Sequence, residues 1–234
     1  MTAATPRIAL LGMGRMGQEV EGLARERGIA VVARLDLAEM ADRDAAIQAL
    51  KGAEVAVEFT TPDAAVGNIE LCLEAGCPVV VGTTGWYDQL DAVRAKVAKT
   101  QGALLHAPNF SVGVALLKAL SERAGELLAG LDGFDVHITD THHAAKMDAP
   151  SGTALLLKAA IDGAGHDVPI TSIRTGQVPG RHEVCIDGAY EQVLLVHDAR
   201  SRQVFADGAL RAALWLRGRT GVFTMDDVLR LEGS

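Results

Sequence analysis

The sequence has little cysteine, no excess of positive charge and no long apolar run. Its three cysteines, Cys72, Cys77 and Cys185, form no Cys-x-x-Cys pair and are odd in number, which argues against a disulfide framework. Lysine and arginine number 22 against 30 acidic residues, a net charge of −8, which argues against a general nucleic-acid binder because phosphates need a basic face. No segment approaches the ~18 apolar residues of a membrane span, and no cleavable leader is evident. We therefore expect a cytoplasmic protein with reduced thiols.

Up to about residue 110, short apolar runs alternate with helical stretches. The runs suited to strands are RIALLG, IAVVARLD, AEVAVEFTT, CPVVVGTTG and ALLHAPN. Strands that alternate with helices of this length indicate parallel β-α-β units, and hence an α/β domain with a doubly wound parallel sheet.

The pattern changes after Asn109. A long amphipathic helix is followed by a half-exposed strand, FDVHITDTHH, by a helix from Ser151, and by several strands separated by glycine and proline turns. These features predict a second, α+β domain with a mixed or antiparallel sheet. The tail GVFTMDDVL is expected to return to the first domain. We predict domains at residues 1–110 plus 212–234 and at 111–211.

A glycine motif, Gly12-x-Gly14-x-x-Gly17, follows the first strand and opens a helix. Alone it is weak evidence, since glycine turns also occur for packing. Asp36 ends the second strand, where a carboxylate can accept hydrogen bonds from the adenosine ribose hydroxyls of a dinucleotide, although it can also be a simple turn residue. The helix N-terminus offers N–H groups to a pyrophosphate. In this context the motif predicts dinucleotide binding.

Further loops follow strands at the same predicted edge, where ligands bind in open α/β sheets. They are Gly82-Thr83-Thr84-Gly85, Ala107-Pro108-Asn109-Phe110-Ser111 and, with less support, Thr60-Thr61. Each is compatible with ordinary turn chemistry. Together they are suited to line the nicotinamide end of the site.

The stretch THHAAKMDAPSGTALL gathers cationic groups ahead of a helix start. Ser151 or Thr153 can cap that helix, whose first N–H groups point toward an anion. A helix start needs no ligand, and a single histidine there can be a solvated strand-end residue. Neither interpretation explains why His142, His143 and Lys146 precede it together, and this constellation favours a site for carboxylates. We expect no metal, because adjacent histidines on a strand point to opposite faces and lysine is not a usual ligand.

This central stretch resembles the signature of the dihydrodipicolinate reductase family, the 4-hydroxy-tetrahydrodipicolinate reductases of lysine and diaminopimelate biosynthesis. The resemblance extends along the chain through GMGRMG, VGTTG, APNFSVG, GQVPGRHEV, FADGALRAALWL and GVFTMDDVL. It implies a Rossmann-like N-terminal domain, a C-terminal substrate and tetramerisation domain, and NAD(P)H-dependent reduction of a cyclic imine dicarboxylate. It also implies a homotetramer.

The resemblance assigns roles to residues of the motifs. His142 would be the general acid, with Lys146 beside it in catalysis. The groups that would hold the substrate carboxylates are His143, Lys146, Ser151, Gly152 and Thr153. With the glycine motif and loops above, the expected cofactor-binding set is Gly12, Gly14, Arg15, Met16, Gly17, Asp36, Thr60, Gly82, Thr83, Thr84, Ala107, Pro108, Asn109 and Phe110.

This chain departs from the family pattern near the central motif. Asp140 stands where the family has glutamate two residues before the first histidine, and His137 stands where an earlier glutamate is usual. Ala144 and Ala145 replace residues that are often basic. These changes leave the expected chemistry intact but bear on substrate affinity.

The expected cofactor is NADH in preference to NADPH. The Asp36 carboxylate repels a 2′-phosphate, and Leu37 and Ala38 offer no cation to offset it. Arg15 can reach the phosphate, so we expect a preference and not exclusion.

Two alternatives remain open at this stage. One is a related reductase of another imine or oxo acid. The other is a nucleotide-binding sensor without catalysis, against which the intact His142 and Lys146 argue. An assay of NADH oxidation with the lysine-pathway substrate distinguishes these two alternatives from the lysine-pathway reductase.

Overall fold

The structure, a computed structural model, describes residues 5–162 and 167–231, and the chain forms two compact units. It passes from the first unit to the second between Phe110 and Ser111 and returns between Val204 and Phe205. The return predicted near residue 212 lies within the helix Gln203–Leu216. Within the two described ranges, no helix is long and apolar enough to cross a membrane.

Strands and helices alternate through most of the chain. The strands are β1 Arg7–Leu11, β2 Ala30–Leu35, β3 Val55–Glu58, β4 Val79–Val81, β5 Ala103–His106, β6 Phe134–His142, β7 Ile170–Arg174, β8 Arg181–Gly188, β9 Gln192–Asp198 and β10 Gly221–Phe223. The helices are α1 Arg15–Glu26, α2 Leu37–Met40, α3 Arg43–Lys51, α4 Pro62–Glu74, α5 Leu90–Thr100, α6 Val112–Leu128, α7 Gly152–Asp162, α8 Gln203–Leu216 and α9 Met225–Leu231.

The first unit contains a six-stranded parallel sheet with the order β10-β5-β4-β3-β1-β2. Every residue of β3 and β4 is buried. Because successive side chains of a strand point to opposite faces, both faces of this sheet are covered, as in doubly wound folds. The predicted doubly wound sheet is therefore confirmed. The strand order reverses at β1, which lies between β3 and β2, and this is where such sheets bind ligands.

The second unit contains a four-stranded mixed sheet with the order β7-β6-β8-β9. β7 is parallel to β6, whereas β8 is antiparallel to both β6 and β9. Apolar side chains of α6, α7, β6 and β8 form its core, among them Leu117, Leu157, Ile138 and Val184. The mixed sheet expected for this half of the chain is therefore present.

In the first unit, the sequence predicts the return of the C-terminal tail but not the two short helices that follow β2. The tail expected to return supplies β10, which pairs with β5. The short helices α2 and α3 were not anticipated. They begin after Asp36 and Asp42, whose side chains accept hydrogen bonds from backbone N–H groups as helix caps. Helices this short carry too few turns for a clear apolar period.

Candidate active site

The glycine turn between β1 and α1 requires glycine at two of its three positions. Gly12 has φ +88°, and a Cβ there would lie 2.2 Å from the Phe59 carbonyl oxygen. A Cβ on Gly17 would lie 2.0 Å from the Gly12 carbonyl oxygen. By contrast, a Cβ on Gly14 would meet no protein atom within 4 Å. The open space at Gly14 fits the close approach of a pyrophosphate to the start of α1.

The side chains that follow the glycine turn are accessible. Helix α1 begins at Arg15, which is exposed, and Met16 is half-buried. Gly14 precedes the helix without any side-chain cap, so the first-turn N–H groups have no capping side chain from this position. An anion at this end of α1 is favoured by those N–H groups and by the helix dipole.

Asp36 lies next to the glycine turn and also serves as a helix cap. The Gly12 N–H donates to the carbonyl oxygen of Leu35 at 2.8 Å, which places the following residue, Asp36, beside the turn. The Asp36 carboxylate accepts from the Leu37 N–H at 3.0 Å, and the Glu39 carboxylate accepts from the Asp36 N–H. The exposed Asp36 therefore acts as a turn residue, one of the two roles expected from the sequence. Its position beside the glycine turn also suits the other role, in which it accepts hydrogen bonds from the adenosine ribose.

Phe59 joins the loops predicted to line the nicotinamide end. Its ring occupies the space that a Cβ on Gly82 would need, 1.9 Å away, and its centroid lies 5.9 Å from the Phe110 ring. The Thr60 N–H donates to the Thr83 hydroxyl at 2.8 Å, which ties the loop after β3 to the loop after β4. The sequence pattern gave no signal for Phe59 itself.

The remaining loop residues lie at the same edge of the sheet. The Ala107 N–H donates to the carbonyl oxygen of Val81 at 3.3 Å, so the loop after β5 continues directly from the sheet. Thr84 and Pro108 are exposed, and Asn109 is half-buried. The structure therefore brings together the predicted cofactor loops within the first unit.

In the second unit, His142 ends strand β6 on its buried side. Ile138, Asp140 and His142 alternate with half-buried residues and are 0%, 0% and 8% exposed. This period of two places Asp140 and His142 on one face of the strand. His143 is the first residue beyond the strand and is half-buried.

Asp140 is a buried carboxylate with partners on several elements. One oxygen, Oδ2, accepts from the Ser151 N–H at 2.9 Å and from the Arg174 guanidinium at 3.0 Å. The other, Oδ1, lies 2.8 Å from Nδ1 of His142 and 3.6 Å from Nε2 of His182. Residues from β6, β7, β8 and the start of α7 therefore converge on one carboxylate.

The start of α7 has the cap expected from the sequence. The Ser151 hydroxyl accepts from the Ala154 N–H at 3.2 Å, so Ser151, and not Thr153, is the capping residue. Gly152 is exposed, and a Cβ there would meet nothing within 4 Å. The first turn is therefore open to an anionic ligand.

Lys146 is close to these groups and already holds an anion. Its ammonium donates to both oxygens of Asp148, at 2.7 and 2.9 Å. The Lys146 N–H also donates to the carbonyl oxygen of His143, which closes a tight turn after β6. The Arg174 guanidinium donates to the carbonyl oxygen of Asp148 at 2.6 Å and so anchors this turn to β7.

Comparison with known proteins gives one consistent result. Residues 6–110 match the N-terminal domain of dihydrodipicolinate reductase, and residues 113–229 match its C-terminal domain. The chain belongs to the dihydrodipicolinate reductase family. A 4-hydroxy-tetrahydrodipicolinate reductase of Christiangramia forsetii is 38% identical over 95% of this chain and 97% of its own length. Another, from Thiobacillus denitrificans, is 39% identical over 97% of this chain and 99% of its own length.

A solved structure shares the fold. The dipicolinate-bound dihydrodipicolinate reductase of Paenisporosarcina has a TM-score of 0.80, with 23% identity over 94% of this chain and 98% of that one. The resemblance drawn from the central motif is therefore confirmed. As a member of the dihydrodipicolinate reductase family, the chain is an NAD(P)H-dependent oxidoreductase that reduces 4-hydroxy-tetrahydrodipicolinate in lysine and diaminopimelate biosynthesis.

The electrostatics of this reductase are concentrated around Asp140. Burial raises its pKa, but hydrogen bonds from Ser151 and Arg174 and the nearby charge of His142 outweigh burial, and the pKa is lowered to about 2. Burial lowers the pKa of His142, the Asp140 carboxylate opposes that change, and the charges of Lys146 and Arg174 add to it. The carboxylate is therefore ionised at neutral pH.

His182 is a buried neutral base beside the same carboxylate. Burial and, after it, the charge of His142 lower its pKa to about 4, against the opposing effect of Asp140. Its Nε2 lies 3.3 Å from the Ser151 hydroxyl, and its ring contacts that of His142 with centroids 5.1 Å apart. His182 is therefore neutral at pH 7 and helps to fill the space behind His142.

Asp140, His142 and His182 offer ligand atoms within 4.8 Å of one another, a spacing compatible with a cation. The absence of a metal was expected from the residues of the central motif, in which adjacent histidines point to opposite faces and Lys146 is not a usual ligand; that expectation did not include His182. Lys146 and Arg174 already place positive charge beside it. That charge disfavours a divalent cation, and the absence of a metal stays a prediction.

Sequence reasoning missed two members of this cluster. Arg174 and His182 lie on β7 and β8, 32 and 40 residues beyond His142, and neither is part of the central motif. Asp140 was noted only as a departure from the family pattern. The available signal was weak: His182 lies within the stretch GQVPGRHEV that contributed to the resemblance, but no local pattern predicts its partners.

Proposed function

We propose that His142 is the proton donor of the family's reduction, and that Lys146 and the start of α7 bind the substrate carboxylates. One observation carries this proposal. The buried Asp140 carboxylate contacts His142 Nδ1 through one oxygen and accepts the Ser151 N–H through the other. The proton donor is thereby linked to an anion-binding helix start by a single group.

The chemistry divides between the cofactor and the chain. The bound nicotinamide supplies hydride to an electron-poor carbon of the cyclic imine. The negative charge that develops on the conjugated system is relieved when protonated His142 donates from Nε2. Lys146 and the first-turn N–H groups of α7 stabilise carboxylate charge in the bound substrate.

The proposed substrate is a small cyclic dicarboxylate. The dipicolinate-bound relative supports this choice, since dipicolinate carries two carboxylates. His143, Gly152 and Thr153 complete the proposed binding set with Lys146 and Ser151. The carboxylate of Asp148, which bonds the Lys146 ammonium, occupies an anion position that a substrate carboxylate would take or share.

The proposed cofactor preference is for NADH. Asp36 is exposed beside the glycine turn, and the first residues after it, Leu37 and Ala38, carry no charge. A carboxylate at this point repels a 2′-phosphate, whereas Arg15 can partly offset the repulsion. Titration of both cofactors at low salt tests the preference. Tighter binding of NADPH would contradict it.

The decisive test of the function is turnover of freshly generated 4-hydroxy-tetrahydrodipicolinate, measured as the loss of NADH absorbance when the cofactor is oxidised. We expect turnover that saturates with substrate. Binding of NADH without turnover would favour a sensor. Turnover of a different imine or oxo acid at a much higher kcat/KM would favour the related-reductase alternative.

We also propose a homotetramer in the cytoplasm. Strand β9 exposes Val193, Leu194 and Val196, each more than two-fifths accessible, on the second unit. Apolar side chains on a sheet of this kind are suited to self-association. Sedimentation at micromolar concentration should give a species of about four chains of 24.5 kDa. A monomer alone would contradict this proposal.

A further inference from the structure

The relation between Asp140 and His142 goes beyond simple proximity. Oδ1 of Asp140 and Nδ1 of His142 are 2.8 Å apart, and among the described residues neither atom has a hydrogen bond to any other group. The carboxylate approaches the ring nitrogen away from the ideal N–H direction, so the contact is foremost an ion pair. Among the described residues, His142 is the ion-pair partner nearest to Oδ1, because Nε2 of His182 lies farther away, at 3.6 Å.

We propose that Asp140 is a positioning residue for His142: its carboxylate, fixed by Ser151 and Arg174, orients the imidazole ring and pairs with its positive charge. This inference rests on the proposed function, in which His142 donates a proton. Asp140 does not touch the reacting atoms and acts only through His142.

Asp140 is held firmly enough to set the direction of a neighbouring ring. Its Oδ2 accepts from the Ser151 N–H and the Arg174 guanidinium, and the Ser172 hydroxyl adds a contact at 3.3 Å. Arg174 also donates to the backbone oxygen of Asp140 at 3.2 Å. The second oxygen is thereby fixed in direction toward His142, as the acid of a catalytic triad is fixed toward its histidine.

The orientation leaves the far ring nitrogen for the substrate. Nδ1 faces Asp140, so Nε2 is the nitrogen available for donation. Gly180 lies beside it: a Cβ at this position would come within 3.0 Å of Nε2, and Gly180 has φ +156°. Glycine therefore keeps space beside the donating nitrogen that any side chain would reduce.

Asp140 is the one described anion that opposes the loss of the proton from His142. The other charged or titratable groups that face this ring are Lys146, Arg174 and His182. The positive charges of Lys146 and Arg174, like burial, favour the neutral ring, whereas His182 is itself neutral at pH 7. Removal of the Asp140 charge would leave only effects that disfavour protonation. The fraction of His142 able to donate at neutral pH would fall accordingly.

The experiment compares Asp140→Asn with Asp140→Glu in the full-length protein with saturating NADH. Because the protonated ring is the active form, kcat falls as pH rises through the pKa of His142. Asp140→Asn should move this falling limb to lower pH by about 1 unit and lower kcat at pH 7.5 by roughly tenfold. Asp140→Glu restores the charge and should keep the limb near its wild-type position. Asp135→Asn, an exposed acid on the same strand, is the matched control and should change neither.

A second readout does not depend on activity. The ring nitrogens of His142 are followed by nitrogen-15 NMR, with the signal assigned by its absence in His142→Gln. Titration of wild type and Asp140→Asn, each treated with EDTA, should show a lower pKa for the variant. In wild type at high pH the neutral ring should carry its proton on Nδ1, because the negative charge of Asp140, 2.8 Å away, favours the protonated form of the nitrogen beside it. This tautomer is measured without any substitution at Asp140, so it tests the proposal even if that variant fails to fold.

The two proposals fail in different ways. An unchanged His142 titration in folded Asp140→Asn, or a proton on Nε2 in neutral wild type, would overturn the role of Asp140 alone. Near-normal turnover by His142→Gln would overturn the proton-donor assignment, whatever the titration shows. A shifted NMR titration together with a shifted kcat limb supports both.

Discussion

In the first unit the proposed cofactor site is made largely of backbone, whereas in the second unit the proposed substrate site is made largely of side chains. Gly12 and Gly17 are required because a Cβ at either position would meet a carbonyl oxygen. In the second unit, Asp140, His142 and Arg174 come from two neighbouring strands and are tied together by ion pairs. A backbone site depends on a few positions close in sequence, while a side-chain network depends on the fold to bring its members together.

This difference has energetic consequences. Hydrogen bonds from a helix start act through backbone N–H groups, which every residue except proline possesses, so the surrounding sequence can vary widely. A buried carboxylate must have partners, because an unpaired buried charge is strongly destabilising. The network around Asp140 should therefore be more sensitive to single substitutions than the glycine turn. The following predictions test that contrast, beginning with the largest effect.

The largest expected loss follows His142→Gln. Glutamine keeps a hydrogen-bonding group but cannot donate a proton at neutral pH as the imidazolium does. We expect kcat to fall by roughly 10²- to 10⁴-fold, as is typical of lost general acid catalysis, with NADH affinity unchanged. Steady-state kinetics and NADH titration measure the two quantities. A folded variant with normal kcat/KM would show that the side-chain network is structural only.

The next effect concerns stability in acid and depends on His182. Its pKa is about 4 in the folded protein and near 6.5 in the unfolded chain, so between these values the unfolded chain binds more protons. The stability that comes from His182 should be fully present above pH 6.5, and the free energy of unfolding should fall by about 3 kcal/mol as pH drops to 4. Denaturant unfolding at several pH values measures this slope.

His182→Gln removes the titrating group and should flatten the slope between pH 6.5 and 4, whatever it does to stability at pH 7. His137→Gln, on strand β6, is the matched control and should leave the slope as in wild type. An equally steep slope in His182→Gln would mean that other groups cause the acid sensitivity. Below pH 4, protonation of Asp140, whose pKa is about 2, should lower the free energy of unfolding by roughly 2 kcal/mol more, in wild type and in His182→Gln alike.

A smaller loss of activity than in His142→Gln is expected for Lys146→Ala. The ammonium holds a carboxylate before and during the reaction, so its removal should raise KM and also lower kcat. Loss of a hydrogen bond to a charged group predicts a fall in kcat/KM of roughly 10- to 100-fold. Lys99→Ala, an exposed lysine on α5, is the control and should behave as wild type. A change in KM alone would limit Lys146 to binding.

The contrast between the units also explains what could be predicted from the sequence. The glycine turn, the loops and the helix start at Ser151 are local, and each was recognised where it lies in the chain. The doubly wound sheet followed from the alternation of strands and helices. The central motif predicted the family and its reaction, which the comparisons confirm.

The network around Asp140 could not be predicted in the same way. Arg174 reaches Asp140 because β7 pairs with β6, and His182 does so because β8 pairs with β6 on the other side. Asp140 and His182 are register partners in that antiparallel pair. Register is set by packing over the whole sheet, so a motif on one strand carries no information about its neighbours.

The smallest expected effect tests the backbone site with two glycines of one turn. Gly14→Ala places a methyl group where the protein has no atom within 4 Å, at an ordinary φ of −70°, so the fold should be unaffected. That methyl group would occupy the space needed by a bound pyrophosphate and should weaken NADH binding by roughly tenfold, the cost of a modest overpacking. Gly17→Ala instead meets the Gly12 carbonyl oxygen inside the protein and should destabilise the fold by about 1–3 kcal/mol. Thermal unfolding and NADH titration of both variants separate the two effects, and normal NADH binding by Gly14→Ala would mean that the pyrophosphate lies elsewhere.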